Sequence, residues 1–190
     1  MIKNNTFNIR NLALCALFTA LISVGAFIKI PLPGIPFTLQ TLFVLLAGML
    51  LGSKRGAIAV LVYIFIGLVG IPVFSGGGGI LYVLKPSFGY IIGFALGAFV
   101  TGLIAERKPE SSIFRLILAG LAGTAVIYAL GLTWYYFIAN YYLGTPMGAG
   151  ALMVSGFLMT FPADLIKIAL SVVLAKRLAP FIDRAMLKEA

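Results

Sequence analysis

Long apolar stretches follow one another along the whole chain. They are separated by segments such as a proline-rich turn at 31–36 and a polar loop at 106–111. A helix needs about 20 apolar residues to cross a bilayer, and 10% of the 190 residues are charged, against about 25% in a soluble domain. The sequence therefore predicts an all-α integral membrane protein, with residues 1–190 forming a single domain of six transmembrane helices. The predicted helical segments are 11–27, 37–52, 57–70, 87–105, 113–138 and 151–178.

Basic residues are distributed unequally between the two ends of these segments. Eleven of the 14 lysines and arginines fall at one end, whereas Lys29 and Lys85 fall at the other and Lys167 lies inside the last segment. Because basic residues accumulate in cytoplasmic loops, both termini are predicted to be cytoplasmic. The loops that carry Lys29 and Lys85 are then expected to face outward.

A glycine-rich loop at about 70–86 does not have the composition of a solvated linker. It contains four consecutive glycines, Gly76 to Gly79, and apolar residues surround them. Glycines lose much conformational freedom when they become ordered, but they allow close backbone approach, and their exposed N–H groups suit an anion. We predict a packed loop that faces a ligand. A flexible, solvated loop is the alternative.

Opposite charges occur together inside one apolar stretch. Asp164 and Lys167 are three positions apart, so they share a helix face, and Ser171 continues that face. Ionisable groups at membrane depth are costly and usually face a cavity or a partner. The pattern fits a polar clamp for a ligand, and it also fits a self-neutralising pair that locks helix packing. Pro162 favours the clamp because it frees backbone groups nearby.

Residues that catalysis needs are scarce. The chain has no histidine, one cysteine (Cys15) and no carboxylate placed to pair with Asp164 inside a span. The glycines are also not followed by the Lys-Ser/Thr of a phosphate-binding loop. We therefore expect no enzyme, no metal site, no cofactor and no ATP hydrolysis by the chain itself. The basic excess is explained by membrane topology and not by nucleic acid. The function that remains compatible with the sequence is binding or transport of a small, partly apolar molecule.

Small residues at four-residue spacing predict two close helix–helix contacts. Gly89, Gly93 and Gly97 form a stripe on the fourth segment, and Ala16 and Ala20 form a pair on the first. Such spacing allows helices to approach closely in lipid. For the alanine pair alone, the abundance of alanine in membrane helices is an equally good explanation.

Two motifs in combination identify a family. PGIPFTLQ and GIPVFSGGGG, both within residues 33–94, closely resemble the BioY family, and ADLIK in the last segment extends the likeness. That family comprises the biotin-specific substrate-binding subunits (S components) of energy-coupling factor (ECF) transporters. The resemblance implies the S-component fold, in the cell membrane of a prokaryote, with capture of biotin from outside. It also implies a transmembrane coupling protein (EcfT-like) and two ABC ATPases as partners, with Ala16 and Ala20 docking on the coupling protein.

The chemistry of biotin's ring suits the scarce polar residues. The ureido group carries two N–H donors and one carbonyl acceptor. Asp164 can accept from the N–H groups, and Lys167 or Gln40 can donate to the carbonyl. We expect the ring to lie toward Asp164.

The other end of biotin is a carboxylate on an apolar chain. The N–H groups of Gly76 and Gly77 or the ammonium of Lys85 can hold this anion, and Lys85 and Lys167 could exchange roles. Ordinary packing is the competing interpretation for most of the apolar candidates. The apolar candidates for contact with the ring and chain are Phe37, Phe74, Leu81 and Tyr90.

Two other functions fit part of the pattern. A stand-alone secondary transporter or facilitator of biotin or a related small carboxylic acid would need no ATPase. However, the two halves of the chain lack the inverted repeat that is common in secondary transporters. A membrane enzyme acting on lipid is opposed by the missing histidine and the missing carboxylate pair.

Overall fold

The computed structural model describes residues 9–30, 35–105 and 112–187, with side chains described as far as residue 182. The polar loop at 106–111 and the first part of the proline-rich turn lie outside these ranges. Two strands, β1 (Lys29–Ile30) and β2 (Phe37–Thr38), form a short antiparallel ribbon between the first two helices. The helices are α1 (Ile9–Phe27), α2 (Gln40–Leu51), α3 (Ser53–Leu68), α4 (Phe88–Ala105), α5 (Ile113–Phe137), α6 (Ala149–Met153) and α7 (Phe161–Leu187). The predicted all-helical class is confirmed.

Helix α2 is enclosed by the rest of the bundle. Eleven of its 12 residues are buried, and it packs against α1, α3, α4 and α7. At 1.5 Å per residue it is about 18 Å long, well short of the roughly 30 Å hydrocarbon core of a bilayer. Its apolar character on every face follows from contact with protein on every face.

The turn between α2 and α3 is tighter than predicted. The predicted segments 37–52 and 57–70 leave residues 53–56 between them, but Gly52 alone separates the two helices, and Ser53, Lys54 and Arg55 open α3. Gly52 has φ of 82°, a conformation that residues with a Cβ rarely adopt. The sharp reversal therefore depends on this glycine.

The predicted glycine stripe of α4 packs directly against α5, which confirms the expected close contact. A Cβ at Gly89 would lie 2.1 Å from Cβ of Trp134, and one at Gly93 would lie 2.9 Å from Cα of Ile127. Gly131 of α5 likewise leaves room for a side chain of α4, because a Cβ there would lie 2.5 Å from the ring of Tyr90.

The last apolar stretch is not the single helix that we predicted over 151–178. It consists of α6, a π-helical turn (Val154–Leu158), a two-residue break and then α7. Pro162 lies in the first turn of α7, where its missing N–H costs no helical hydrogen bond. The Tyr90 hydroxyl donates to the carbonyl of Gly156 at 2.8 Å and so ties the π-helical turn to α4. The break places Asp164, which is buried, in the first turn of α7.

Four helical segments in the described ranges are long and apolar enough to cross a membrane. Large apolar side chains such as Phe65 and Ile166, 68% and 70% exposed, lie on the outside of the bundle, as expected for a surface in lipid. The four segments are Ile9–Phe27, Phe88–Ala105, Ile113–Tyr142 and Ala149–Ile182.

The α4–α5 contact gives a first prediction. Gly93→Ala should lower the free energy of unfolding by about 1–3 kcal/mol, because the new methyl group meets backbone atoms of Ile127 that cannot move aside. Gly150→Ala is the matched helical control, since nothing lies within 4 Å of a Cβ there. Thermal unfolding in detergent measures both. Equal melting temperatures for the two variants would contradict the close contact.

Candidate functional site

A cavity of about 560 Å³, counting its open side, lies between the ribbon, the start of α2 and helices α4, α5 and α7. Small-molecule sites are usually concave and mostly apolar, with a few polar groups that fix the ligand's orientation. The lining combines apolar and aromatic surface with a few polar groups, the composition expected of such a site. The lining residues are Ile35, Pro36, Phe37, Thr38, Gln40, Thr41, Ser75, Ser87, Tyr90, Ile91, Phe94, Ile127, Tyr128, Thr160, Asp164 and Lys167.

An ion pair on α7 forms the charged part of the cavity wall. Lys167 Nζ lies 2.6 Å from Asp164 Oδ1, and each residue is 4% exposed. The same ammonium lies 3.7 Å from the centre of the Phe37 ring, a cation–π contact. Asp164 also lies in the first turn of α7, where the helix dipole favours a negative charge. The predicted pair therefore exists, and it faces the cavity.

The second carboxylate oxygen of Asp164 is also hydrogen-bonded. It accepts from the hydroxyl of Tyr128, whose own oxygen lies 2.7 Å from Thr160 Oγ1. The Tyr128 ring is held edge-on against Tyr90 and Phe157. A carboxylate has about four lone-pair positions, so the bonds to Lys167 and Tyr128 leave acceptor capacity for a ligand on both oxygens.

Gln40 braces the opposite wall. Its Nε2 donates to the Tyr63 hydroxyl at 2.6 Å, and its Oε1 accepts from the Thr38 hydroxyl at 3.2 Å. Tyr63 in turn donates to the carbonyl of Val73 at 3.3 Å. These bonds connect β2, α2, α3 and the glycine-rich loop, and they leave one N–H of the Gln40 amide for a ligand.

The glycine-rich loop is packed, as the sequence predicts, and Ser75 is its contribution to the cavity lining. Phe74 is 1% exposed. Its ring lies so close to Gly67 that a Cβ on that residue would be 2.1 Å away. Phe74 and Gly77 exchange backbone hydrogen bonds across a tight turn, and Gly77 has φ of 115°. A 3₁₀ helix (Ile80–Leu84) completes the loop.

Five of the ten predicted ligand-binding residues line the cavity, and five lie behind or beside it. Phe74 is buried beneath the loop, and Leu81 is 76% exposed on its outside. Gly76 and Gly77 form the tight turn, and Lys85 Nζ donates to the Gly76 carbonyl at 2.8 Å. The five that line the cavity are Phe37, Gln40, Tyr90, Asp164 and Lys167.

The two residues predicted to dock on a partner lie elsewhere in the structure. Ala16 and Ala20 are both exposed on the outer side of α1. They are therefore available for contact with another helix.

Sequence reasoning missed the hydroxyl groups of the site. Tyr128, Thr160, Ser75 and Ser87 all line the cavity, yet tyrosine, threonine and serine are common enough in this chain that none of them stands out. A charged residue in a membrane span is a strong signal because it is costly, whereas a hydroxyl is cheap to bury when it bonds to backbone. The one available signal was the position of Thr160, one helical turn before Asp164.

Comparison with known proteins identifies the family. The BioY family model matches residues 1–184. The chain belongs to the BioY family. It is similar to the probable biotin transporter BioY of Lysinibacillus sphaericus, with 47% identity over 168 residues, 88% of this chain and 86% of that protein. It is similar also to the biotin transporter BioY of Thermotoga maritima, with 42% identity over 170 residues, 89% of this chain and 95% of that protein.

A solved structure shares the fold of this BioY-family chain. It is the crystal structure of the S-component for biotin from an ECF-type ABC transporter. The TM-score is 0.78, with 32% identity, and the match covers 95% of each chain. The resemblance inferred from the two motifs is thus confirmed, and the described helices have the arrangement of an S component.

The buried ion pair gives a second prediction. Lys167→Met should lower the free energy of unfolding by about 3 kcal/mol, because it leaves the Asp164 charge buried without its cation. Asp164→Leu should cost a similar amount, whereas the double variant should be more stable than either single one. Thermal unfolding in detergent measures all three, with the exposed Lys54→Met as the control. Additive losses in the double variant would show that the two charges do not stabilise each other.

Proposed function

We propose that this chain is the high-affinity biotin-binding subunit of an ECF-type vitamin uptake transporter, which captures biotin from outside and delivers it through an ATPase-driven module. The observation that carries the proposal is the buried Asp164–Lys167 pair, which lines a largely apolar cavity in a chain of the BioY family. The chain is a transport component and not an enzyme. The energy for uptake comes from ATP hydrolysis by the proposed ATPase partners.

The ion pair and Gln40 are the proposed partners of biotin's ureido ring. The remaining lone pairs of Asp164 accept from the two ring N–H groups, and a remaining N–H of Lys167 or Gln40 donates to the ring carbonyl. Buried groups of this kind discriminate strongly, because a ligand without matching donors leaves buried polar atoms unpaired. Phe37 and Tyr90 supply flat apolar surface for the ring and its chain.

The loop beside the cavity is the proposed site of the carboxylate. The N–H of Gly77 already donates to the Phe74 carbonyl, and the N–H of Gly79 donates to the Gly67 carbonyl. Because these two amides are occupied, the ammonium of Lys85 is a better partner for an anion than the N–H of Gly77. The alternative orientation, with the carboxylate at Lys167, makes poorer use of Asp164, since two carboxylates would then be neighbours.

The proposed topology has six spans in one domain, with both termini in the cytoplasm of a prokaryotic cell. Its support is the unequal distribution of lysine and arginine. Helices α2 and α3, with 12 and 16 residues, join at Gly52. They are the second and third of the six proposed spans and together form a hairpin. The proposed partners are an EcfT-like coupling protein, which contacts the exposed Ala16 and Ala20, and two ABC ATPases.

Biotin binding is the third prediction. Isothermal titration of the detergent-purified chain should give tight one-to-one binding. Asp164→Asn and Lys167→Ala should each weaken it by at least about tenfold, the loss expected when a hydrogen bond to a charged group is removed in a buried site. Lys54→Ala, at an exposed position outside the cavity, is the control. A folded preparation that does not bind biotin would overturn the proposed substrate.

Dependence on ATPase partners is the fourth prediction, and it separates an ECF subunit from a stand-alone secondary transporter or facilitator. The chain alone in proteoliposomes should bind biotin without accumulating it. Co-expression with a coupling protein and two ABC ATPases should give ATP-dependent uptake and co-purification of all the subunits. Accumulation driven by an ion gradient, without any ATPase, would favour the alternative.

A further inference from the structure

Two lysine side chains from different loops converge on one turn beside the cavity. Lys29 Nζ, from β1, donates to the carbonyl of Ser75. Lys85 Nζ donates to the next carbonyl along the chain, that of Gly76, and it also lies 4.6 Å from the centre of the Tyr82 ring. Two positive charges therefore meet at adjacent peptide groups, although the residues are 56 positions apart in the sequence.

Three hydroxyl groups lie in the same place. The Tyr82 hydroxyl is 3.3 Å from Ser75 Oγ and 3.4 Å from Ser87 Oγ. Ser75 and Ser87 both line the cavity, so this cluster joins the lysines to the binding space. Ser87 also immediately precedes α4, an 18-residue helix, whose N-terminus contributes a partial positive charge.

The positive charge of this cluster has no acidic counterpart nearby in the chain. Residues 1–105 contain no aspartate or glutamate. The carboxylate among the cavity-lining residues, Asp164, is paired with Lys167. The two ammonium groups donate to neutral carbonyl oxygens, which compensate a full positive charge less well than a carboxylate does.

We propose that Lys29 and Lys85 together form a carboxylate subsite at the edge of the cavity, with the hydroxyls of Ser75 and Ser87 as additional donors. The inference rests on the proposed function and deepens it, because it assigns Lys29 to the binding of the carboxylate. Lys29 lies outside the helices, so the sequence pattern did not indicate it as a ligand-binding residue. Each ammonium has three N–H groups on a flexible stem, so it can turn from a peptide carbonyl to the anion. Bound carboxylate then links the ribbon to the glycine-rich loop.

The consequence is selectivity for a free acid. A ligand whose carboxylate is replaced by a neutral amide keeps its ring contacts but loses the charge-assisted hydrogen bonds. The unchanged protein should bind biotin about tenfold more tightly than biotinamide, a modest ratio because both ammonium groups are exposed to solvent.

The test is calorimetry with biotin and biotinamide on the full chain in detergent. Lys29→Gln should weaken biotin binding by about three- to tenfold and leave biotinamide binding unchanged. Lys85→Gln should do the same, and Lys29→Arg, which keeps the charge, should retain the preference for the acid. Lys54→Gln removes an exposed positive charge from the start of α3, outside the cavity lining, and should alter neither affinity.

The outcomes separate this inference from the proposed function. Failure of the unchanged protein to bind biotin would overturn the proposed function itself. Biotin binding with no preference over biotinamide would overturn the carboxylate subsite alone. An equal loss for both ligands in Lys29→Gln would also overturn it, because Lys29 would then only anchor the loop to the ribbon.

Discussion

The buried ion pair of Asp164 and Lys167 is the interaction on which the rest of the site depends. Two charges inside an apolar bundle are tolerated only when they are paired and hydrogen-bonded. The surrounding structure stabilises them with the Tyr128 hydroxyl, the face of the Phe37 ring and the first turn of α7. Asp164 lies in that first turn because the last apolar stretch is interrupted at 159–160 and α7 begins at Phe161.

Close packing elsewhere makes an open cavity possible at this end of the bundle. The glycines of α4 bring it against α5, and α2 fills the space between the helices. Near the site the same two helices carry Tyr90 and Tyr128, whose rings meet edge to face at 5.9 Å and line the cavity. Gly131 provides the room that the Tyr90 ring needs. Small residues thus set the helix separation, and aromatic rings shape the space that is left.

Two polar clusters of different character lie along one cavity. The ion pair on α7 is buried, so its hydrogen bonds act in a low dielectric, where unmatched ligands are penalised. The lysines at the glycine-rich loop are exposed. In the proposed subsite they therefore attract an anion by charge and select less by hydrogen-bond geometry. In the proposed binding mode, the polar ring of biotin meets the first cluster and its terminal carboxylate meets the second.

The sequence by itself determined the helical membrane class, the family and the pairing of Asp164 with Lys167, because the charges in an apolar span and their spacing on one helix are local properties. The tertiary structure decided which residues far apart in the sequence meet. Tyr128 donates to Asp164, 36 positions away, and Lys29 donates to Ser75, 46 positions away. It also decided that α2 is enclosed and that the last stretch is divided. These contacts depend on how helices pack and where loops cross, and no pattern along a single segment encodes them.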